Sequence, residues 1–180
     1  MARALIVGCG CRGRMLGRRL AEEGWAVRGT SRRSEGVAAV EAAGLEGAIA
    51  DPNRPGTLLE LVGDVTAVLW LLGSARGEPA AVAAIHGSRL ERFLEKLVDT
   101  PVRGFVYEAA GSVAPAVIAR GAEIVEWAGA TWRIPTQVVV ADPTDPAAWT
   151  DAMHAATINL LRRRAENVPI GDEIGPSAGS

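Results

Sequence analysis

The chain is poor in the residues from which several kinds of site are built. Lys96 is the only lysine, Tyr107 the only tyrosine, and His86 and His154 the only histidines among 180 residues. Cys9 and Cys11 are the only cysteines. Two thiols inside one tight turn are no framework for cross-linking a fold, so free thiols and a reducing, cytoplasmic setting are expected. Long apolar runs are missing too. The stretch Ala4 to Val7 is cut short by glycine and then by Arg12 and Arg14, so it lacks the apolar core of a signal peptide. No run approaches the ~18 residues of a membrane span, and no membrane partner is expected. Charge of one sign is absent as well: 19 basic against 21 acidic residues leave a net charge of −2 and a pI near 5.8. That balance supplies no global field to attract nucleic acid, so any anion site must be local. Nearly every cation is arginine, which reads as a compositional bias of the source.

What is present is the make-up of a globular domain, 48% hydrophobic and 22% charged. The length suits one core without disulfides or metal. One domain is expected over residues 1–166, followed by a loose tail, 167–180, rich in Gly, Pro, Ser and acids.

Short apolar runs alternate with amphipathic stretches almost from the first residue, which is the signature of βα units on a parallel sheet. Strands are expected at Ala4 to Val7, Trp25 to Gly29, Ala48 to Ala50, Val65 to Leu72, Gly104 to Tyr107 and Val138 to Ala141. Val65 to Leu72, apolar at nearly every position, fits a central strand covered on both faces. Between the strands the apolar residues fall at helical spacing. One helix is expected to end near Gly24, one to cover Gly36 to Ala43, one Pro55 to Val62 and one long helix Pro79 to Leu97. Another ends before Pro135, and a last one opens at Asp145-Pro146 and buries Trp149, Met153, Leu160 and Leu161. The predicted fold class is α/β, a three-layer, doubly wound parallel sheet whose six strands match the order 3-2-1-4-5-6 in number.

Gly8-Cys9-Gly10-Cys11-Arg12-Gly13 is a G-x-G-x-x-G placed directly after the first strand and at the start of the first helix. Gly8 permits the tight turn, Gly10 removes the side chain that would block a pyrophosphate, and Gly13 lets the helix pack closely on the strand. The helix then turns its free N–H groups toward the phosphates. A dinucleotide site is therefore expected, against the alternative of a plain glycine-rich turn. Gly17, one turn on, reads as a packing residue.

After the second strand an NAD-preferring site would carry Asp or Glu for the ribose hydroxyls. Here Thr30-Ser31-Arg32-Arg33 stands instead. Two hydroxyls and a guanidinium fork suit a 2′-phosphate, so NADP is favoured over NAD. Arg12 can add a second cation on the same phosphate, and the alternative for Arg32 and Arg33 is a solvated loop pair. Asp51, at the end of the third strand, lies either on the adenine edge of the ligand or in a turn with Pro52.

Together GCGCRG, GTSRR, the Asp51-Pro52 turn and the strand Val65 to Leu72 resemble the short-chain dehydrogenase/reductase superfamily. The likeness is closest to its atypical members, the NAD-dependent epimerase/dehydratase-like and NmrA-like proteins, and runs over residues 2 to about 162. The resemblance implies that Gly73 and Ser74 sit near the cofactor's ribose and nicotinamide, and that Tyr107 to Ser112 fall where the family places its substrate-side serine. Catalytic members carry Tyr-x-x-x-Lys on the helix after the fifth strand. This chain does not: Tyr107 lies in a predicted strand with Gly111 at the lysine position, and Lys96 precedes it on another helix. Ser112 alone lacks a basic partner.

The catalytic residues therefore stay unassigned. His86 and His154 are expected on helices covering the sheet, in surface or packing roles, and no metal site is expected. Cys9 or Cys11, at a helix N-terminus, is either an acidified, oxidation-sensitive gate on cofactor entry or a small packing residue. Two functions are compatible with all this. One is an NADP-dependent oxidoreductase or epimerase-like enzyme acting on a small molecule through an atypical proton relay. The other is a non-catalytic NADP-sensing regulator with a protein partner. By the same resemblance, the helices Pro79 to Leu97 and that ending near Trp132 offer a face for a homodimer.

Overall fold

The βα alternation is realised as a six-stranded sheet wrapped by helices in a computed structural model, which describes residues 1–166. The loose tail expected at 167–180 lies outside the described residues. In chain order the elements are β1 (Arg3–Val7), α1 (Cys11–Glu22), β2 (Ala26–Ser31), α2 (Ser34–Ala42), β3 (Glu46–Ile49), α3 (Pro55–Leu59), β4 (Ala67–Trp70), α4 (Pro79–Ile85), α5 (Ser88–Leu97), β5 (Gly104–Glu108), α6 (Pro115–Trp132), β6 (Thr136–Val139) and α7 (Pro146–Glu166). Every strand pair is parallel and the order is β3-β2-β1-β4-β5-β6, as expected. Among the described residues no helix is long and apolar enough to cross a membrane.

Successive strand residues point to opposite faces, and both faces are covered, so the central strands are apolar throughout. Leu5, Val7, Val68, Trp70, Phe105 and Tyr107 pack under α4, α5 and α6, against Leu90, Phe93, Leu94, Ile118 and Val125. Ala4, Ile6, Ala67, Leu69 and Val106 face the other way, onto Leu16 and Leu20 of α1 and Trp149, Met153 and Leu160 of α7. Gly17 is indeed a packing position: a Cβ there would lie 3.3 Å from Val27 and 3.4 Å from Ile6. The chain order reverses between β1 and β4, and such a reversal opens a crevice at the carboxyl ends of the strands.

The long helix expected over Pro79 to Leu97 is two helices, broken at His86 and Gly87. The reason is a buried polar pair. The His86 ring turns inward and is fully buried, its Nε2 lying 3.0 Å from the Leu72 carbonyl and its Nδ1 2.6 Å from the Tyr107 hydroxyl. A carbonyl only accepts, so Nε2 carries the proton, and the one Tyr107 hydroxyl hydrogen is shared between Nδ1 and the Ile118 carbonyl at 3.1 Å. Gly121 of α6 leaves the space this hydroxyl occupies, since any side chain there would overlap it. Strand bounds also shift: β2 runs on to Ser31, and at the two edges β3 spans Glu46–Ile49 rather than Ala48 to Ala50 and β6 begins at Thr136 rather than Val138.

Burial holds the His86 pKa below its ordinary value. The folded state thus resists a proton that the unfolded chain accepts below about pH 6.5, so this part of the stability is present above that pH and is lost as the pH falls through it. Urea midpoints are expected to drop between pH 7.5 and 5.5. The drop should shrink in His86→Gln, which keeps an amide donor for Leu72; an undiminished drop would contradict this assignment.

Candidate functional site

At the end of β1 the chain must turn sharply into α1 beneath the crevice. Gly8 makes that turn at φ +80°, where a Cβ would lie 2.7 Å from the Leu71 carbonyl oxygen. The Cys9 amide bonds to the Thr30 carbonyl at 3.0 Å, tying the turn to β2. Gly10 caps the helix in an extended conformation without a side-chain bond, and the first intrahelical bond, from the Arg14 amide to the Gly10 carbonyl, follows at 2.9 Å. The amides of Cys11, Arg12 and Gly13 precede that bond and are left to bind something else. Nothing lies within 4 Å of where a Cβ of Gly10 would be, so the space above the amides is open.

That space belongs to a cleft of about 610 Å³ at the switch point. Gly8, Gly10, Cys11, Arg12, Gly13, Thr30, Ser31 and Arg32 all line it. Its geometry fits a diphosphate on the helix terminus, with an adenosine directed toward the end of β2.

Three other expected residues lie elsewhere. Arg33 is the N-cap residue before α2, its amide 3.2 Å from Ser31 Oγ, outside the cleft lining. Asp51 is a turn residue: its Oδ1 accepts from the Asn53 amide at 2.9 Å, and its own amide donates to Thr57 Oγ1 at 2.9 Å. Its neighbours Ala50, Pro52 and Asn53 line the cleft in its place. Gly73 faces the loop after β5. Its amide donates to Glu108 Oε2 at 2.9 Å, its carbonyl accepts from the Val113 amide at 3.0 Å, and the Ala110 carbonyl fills the side where a Cβ would stand. Ser74, one residue on, does reach the cleft.

Arg12 also departs from expectation. Its guanidinium is taken up by Ser74, Glu108 and Trp149. Nη2 lies 3.4 Å from both Ser74 Oγ and Glu108 Oε1, and Cζ sits 5.3 Å above the Trp149 ring. The physical reason is Glu108, 1% exposed, whose oxygens have left water and need donors in the interior. It takes them from Gly73, Arg12 and the Trp149 indole, the last at 2.9 Å.

The sequence reading missed Glu108 and counted Trp149 only as a core residue. The available signal was an acid closing an otherwise apolar central strand, at the sheet end where sites gather. Strand alternation puts Tyr107, one residue earlier, on the opposite face. Burial and the neighbouring Glu108 charge raise its pKa, and its hydroxyl is held by His86. The cysteines separate as well. Burial pushes the Cys9 thiol up to about 11, so it is no acidified gate, while Cys11 is exposed.

Removing one partner from a buried ionic cluster strands the others, at a cost of about 3–5 kcal/mol. Glu108→Ala should therefore lower the urea unfolding free energy by roughly that amount and shift the Trp149 fluorescence. Glu108→Gln drops the charge and sets its amide nitrogen against one of these donors, so it should lose nearly as much; a Glu108→Gln protein close to wild-type stability would argue against a cluster held by charge.

No family model matches the sequence, and no curated protein matches it. Solved structures do. The UDP-glucuronic acid 4-epimerase of Bacillus cereus in complex with NAD is 14% identical with a TM-score of 0.62, over 76% of this chain and 54% of its own. The UDP-glucose 4-epimerase of Thermotoga maritima, with UDP-glucose, is 14% identical at a TM-score of 0.63, over 76% and 54%. A putative epimerase from Burkholderia cenocepacia is 20% identical at 0.57, over 76% and 52%. The chain spans about half the length of these proteins. At such identities the likeness is one of fold, and that fold is the one implied by the resemblance to the short-chain dehydrogenase/reductase superfamily.

Proposed function

We propose that this chain binds NADP(H), with the diphosphate on the amides of Cys11, Arg12 and Gly13 and the adenosine 2′-phosphate at the end of β2. The observation that carries this reading is the open space over Gly10, directly above amides with no helical partner. The choice of NADP rests on the end of β2 alone. No acid stands at Thr30-Ser31-Arg32-Arg33, Arg32 lines the cleft, and its guanidinium has no carboxylate within ion-pair distance among the described residues. The epimerase structures with a bound cofactor name NAD, which speaks for NAD rather than NADP, so the phosphate preference has no support beyond the end of β2.

With NADP(H) bound, the chain acts as an oxidoreductase of the short-chain dehydrogenase/reductase type without a Tyr-x-x-x-Lys pair. The cofactor supplies the hydride. The polar groups available at the reactive end are Ser74, Arg12 and Glu108, together with the exposed Ser112. A second reading, a non-catalytic NADP sensor, draws support from Tyr107, whose hydroxyl is sealed against His86 on the wrong face of the sheet for proton transfer in the cleft.

Calorimetric titration with NADPH and NADH tests the cofactor, and nicotinamide absorbance in the presence of aldehydes, ketones or quinones tests the chemistry. The wild type should bind NADPH more tightly. Arg32→Asp should weaken NADPH on the order of a hundredfold, by losing a charge-assisted fork and adding repulsion, and NADH far less. Arg33→Asp should do less than Arg32→Asp. Equal losses for both cofactors would remove the reason for naming NADP, and tight binding without turnover of any substrate would select the sensor.

A further inference from the structure

Four arginines line the cleft, and they divide sharply by partner. Arg12 is committed to Glu108 at the reactive end. Arg14, Arg32 and Arg76 have no carboxylate within 4.0 Å among the described residues, and neither have several arginines outside the cleft, such as Arg18 and Arg54; what sets the three apart is that they line one concave site. Unpaired guanidinium groups around a concave site are charges with no protein counter-ion. One of them, Arg76, stands in the loop between β4 and α4, which neither the glycine turn nor the β2 motif marks.

We propose that Arg76 is a second selector of the adenosine 2′-phosphate, gripping it from the rim opposite Arg32. This rests on the NADP(H) reading above. The decisive contact is between the two loops: Arg32 Nη2 donates to the Arg76 backbone carbonyl at 3.4 Å, so residues 44 positions apart meet over the cleft. Gly77, at φ +146°, follows directly and turns the chain into α4. Both arginine residues are exposed, so their forks are free to close on a ligand.

Charge makes the second cation necessary. A phosphate monoester carries about 1.5 to 2 negative charges near neutral pH, more than one guanidinium balances. Glu78, the residue before α4, also lines the cleft and adds a negative charge on the same rim. Arg32 alone would leave that rim close to neutral before any phosphate arrived; with Arg76, and with Arg14 behind it on α1, the rim is positive. A ligand without the 2′-phosphate needs neither fork.

Affinities of wild type, Arg76→Gln and Arg76→Lys for NADPH and NADH, and for adenosine 2′,5′-bisphosphate and 5′-AMP, test this by calorimetry. In Arg76→Gln the NADPH-to-NADH affinity ratio should fall on the order of tenfold, the loss of one charge-assisted fork. The preference for the bisphosphate should narrow in parallel, and Arg76→Lys should recover part of both. If the wild type prefers NADPH and Arg76→Gln keeps that ratio, this proposal is overturned and the NADP reading stands. A fall in NADPH and NADH affinity by the same factor also overturns it, since Arg76 would then serve the diphosphate or the loop. A wild type that binds the two cofactors equally removes the NADP reading, and this proposal with it.

Discussion

The structure turns on a helix that begins with nothing capping it. An α-helix leaves its first amides without partners, and proteins ordinarily satisfy them with a Ser, Thr, Asp or Asn side chain just before the first turn. Here Gly10 holds that position and offers no side chain. The amides of Cys11, Arg12 and Gly13, residues that line the crevice, are thus without helical partners at the positive end of the helix dipole, an arrangement that favours an anion. The rest of the fold sets this terminus in place. Parallel strands in the order β3-β2-β1-β4-β5-β6 put the turn at the reversal of direction, and the bond from the Cys9 amide to the Thr30 carbonyl brings the end of β2, with Arg32, beside it.

The far end of the crevice is organised by a different constraint, a buried acidic side chain whose oxygens must find donors. Glu108 draws donors from the β4–α4 loop through Gly73, from α1 through Arg12 and from α7 through Trp149. One side chain thereby fixes the relative positions of the glycine turn and the last helix. On the opposite face of the same strand, Tyr107 and His86 complete each other, and their closure is what breaks the helical layer into α4 and α5. Two consecutive residues of β5 thus serve two separate polar clusters, one facing the cleft and one sealed from it.

Much of this was legible in the sequence, because local patterns carry it. The apolar runs of β1 and β4 and the glycine spacing depend on neighbours a few residues away, and they foretold the sheet and the glycine turn between β1 and α1. What the sequence did not disclose depends on contacts across long separations. Helical periodicity runs straight through His86, and only the ring's bonds to Leu72 and Tyr107 explain the break. Arg12 looked like a phosphate ligand until Glu108, 96 residues on, claimed it. Gly73 read as a cofactor contact by position, yet the loop after β5 occupies its open side. Cys9 stood between an acidified thiol and a small packing residue, and its packing against Gly13 and Gly29 decides for the second. Asp51 resolved into a turn because Thr57 and Asn53 meet it there.

The account depends on the empty space over position 10 being a phosphate seat. Gly10 has a φ of −77°, which any residue can adopt, and a Cβ there would touch no protein atom, so Gly10→Val should fold with nearly unchanged stability. Thermal unfolding of both proteins with and without NADPH is the most direct test. At a hundredfold excess over its Kd the cofactor should raise the wild-type midpoint by roughly 5–10 °C and leave Gly10→Val where it was. An equal rise in both proteins, or none in the wild type, would contradict the claim that this cradle holds the diphosphate.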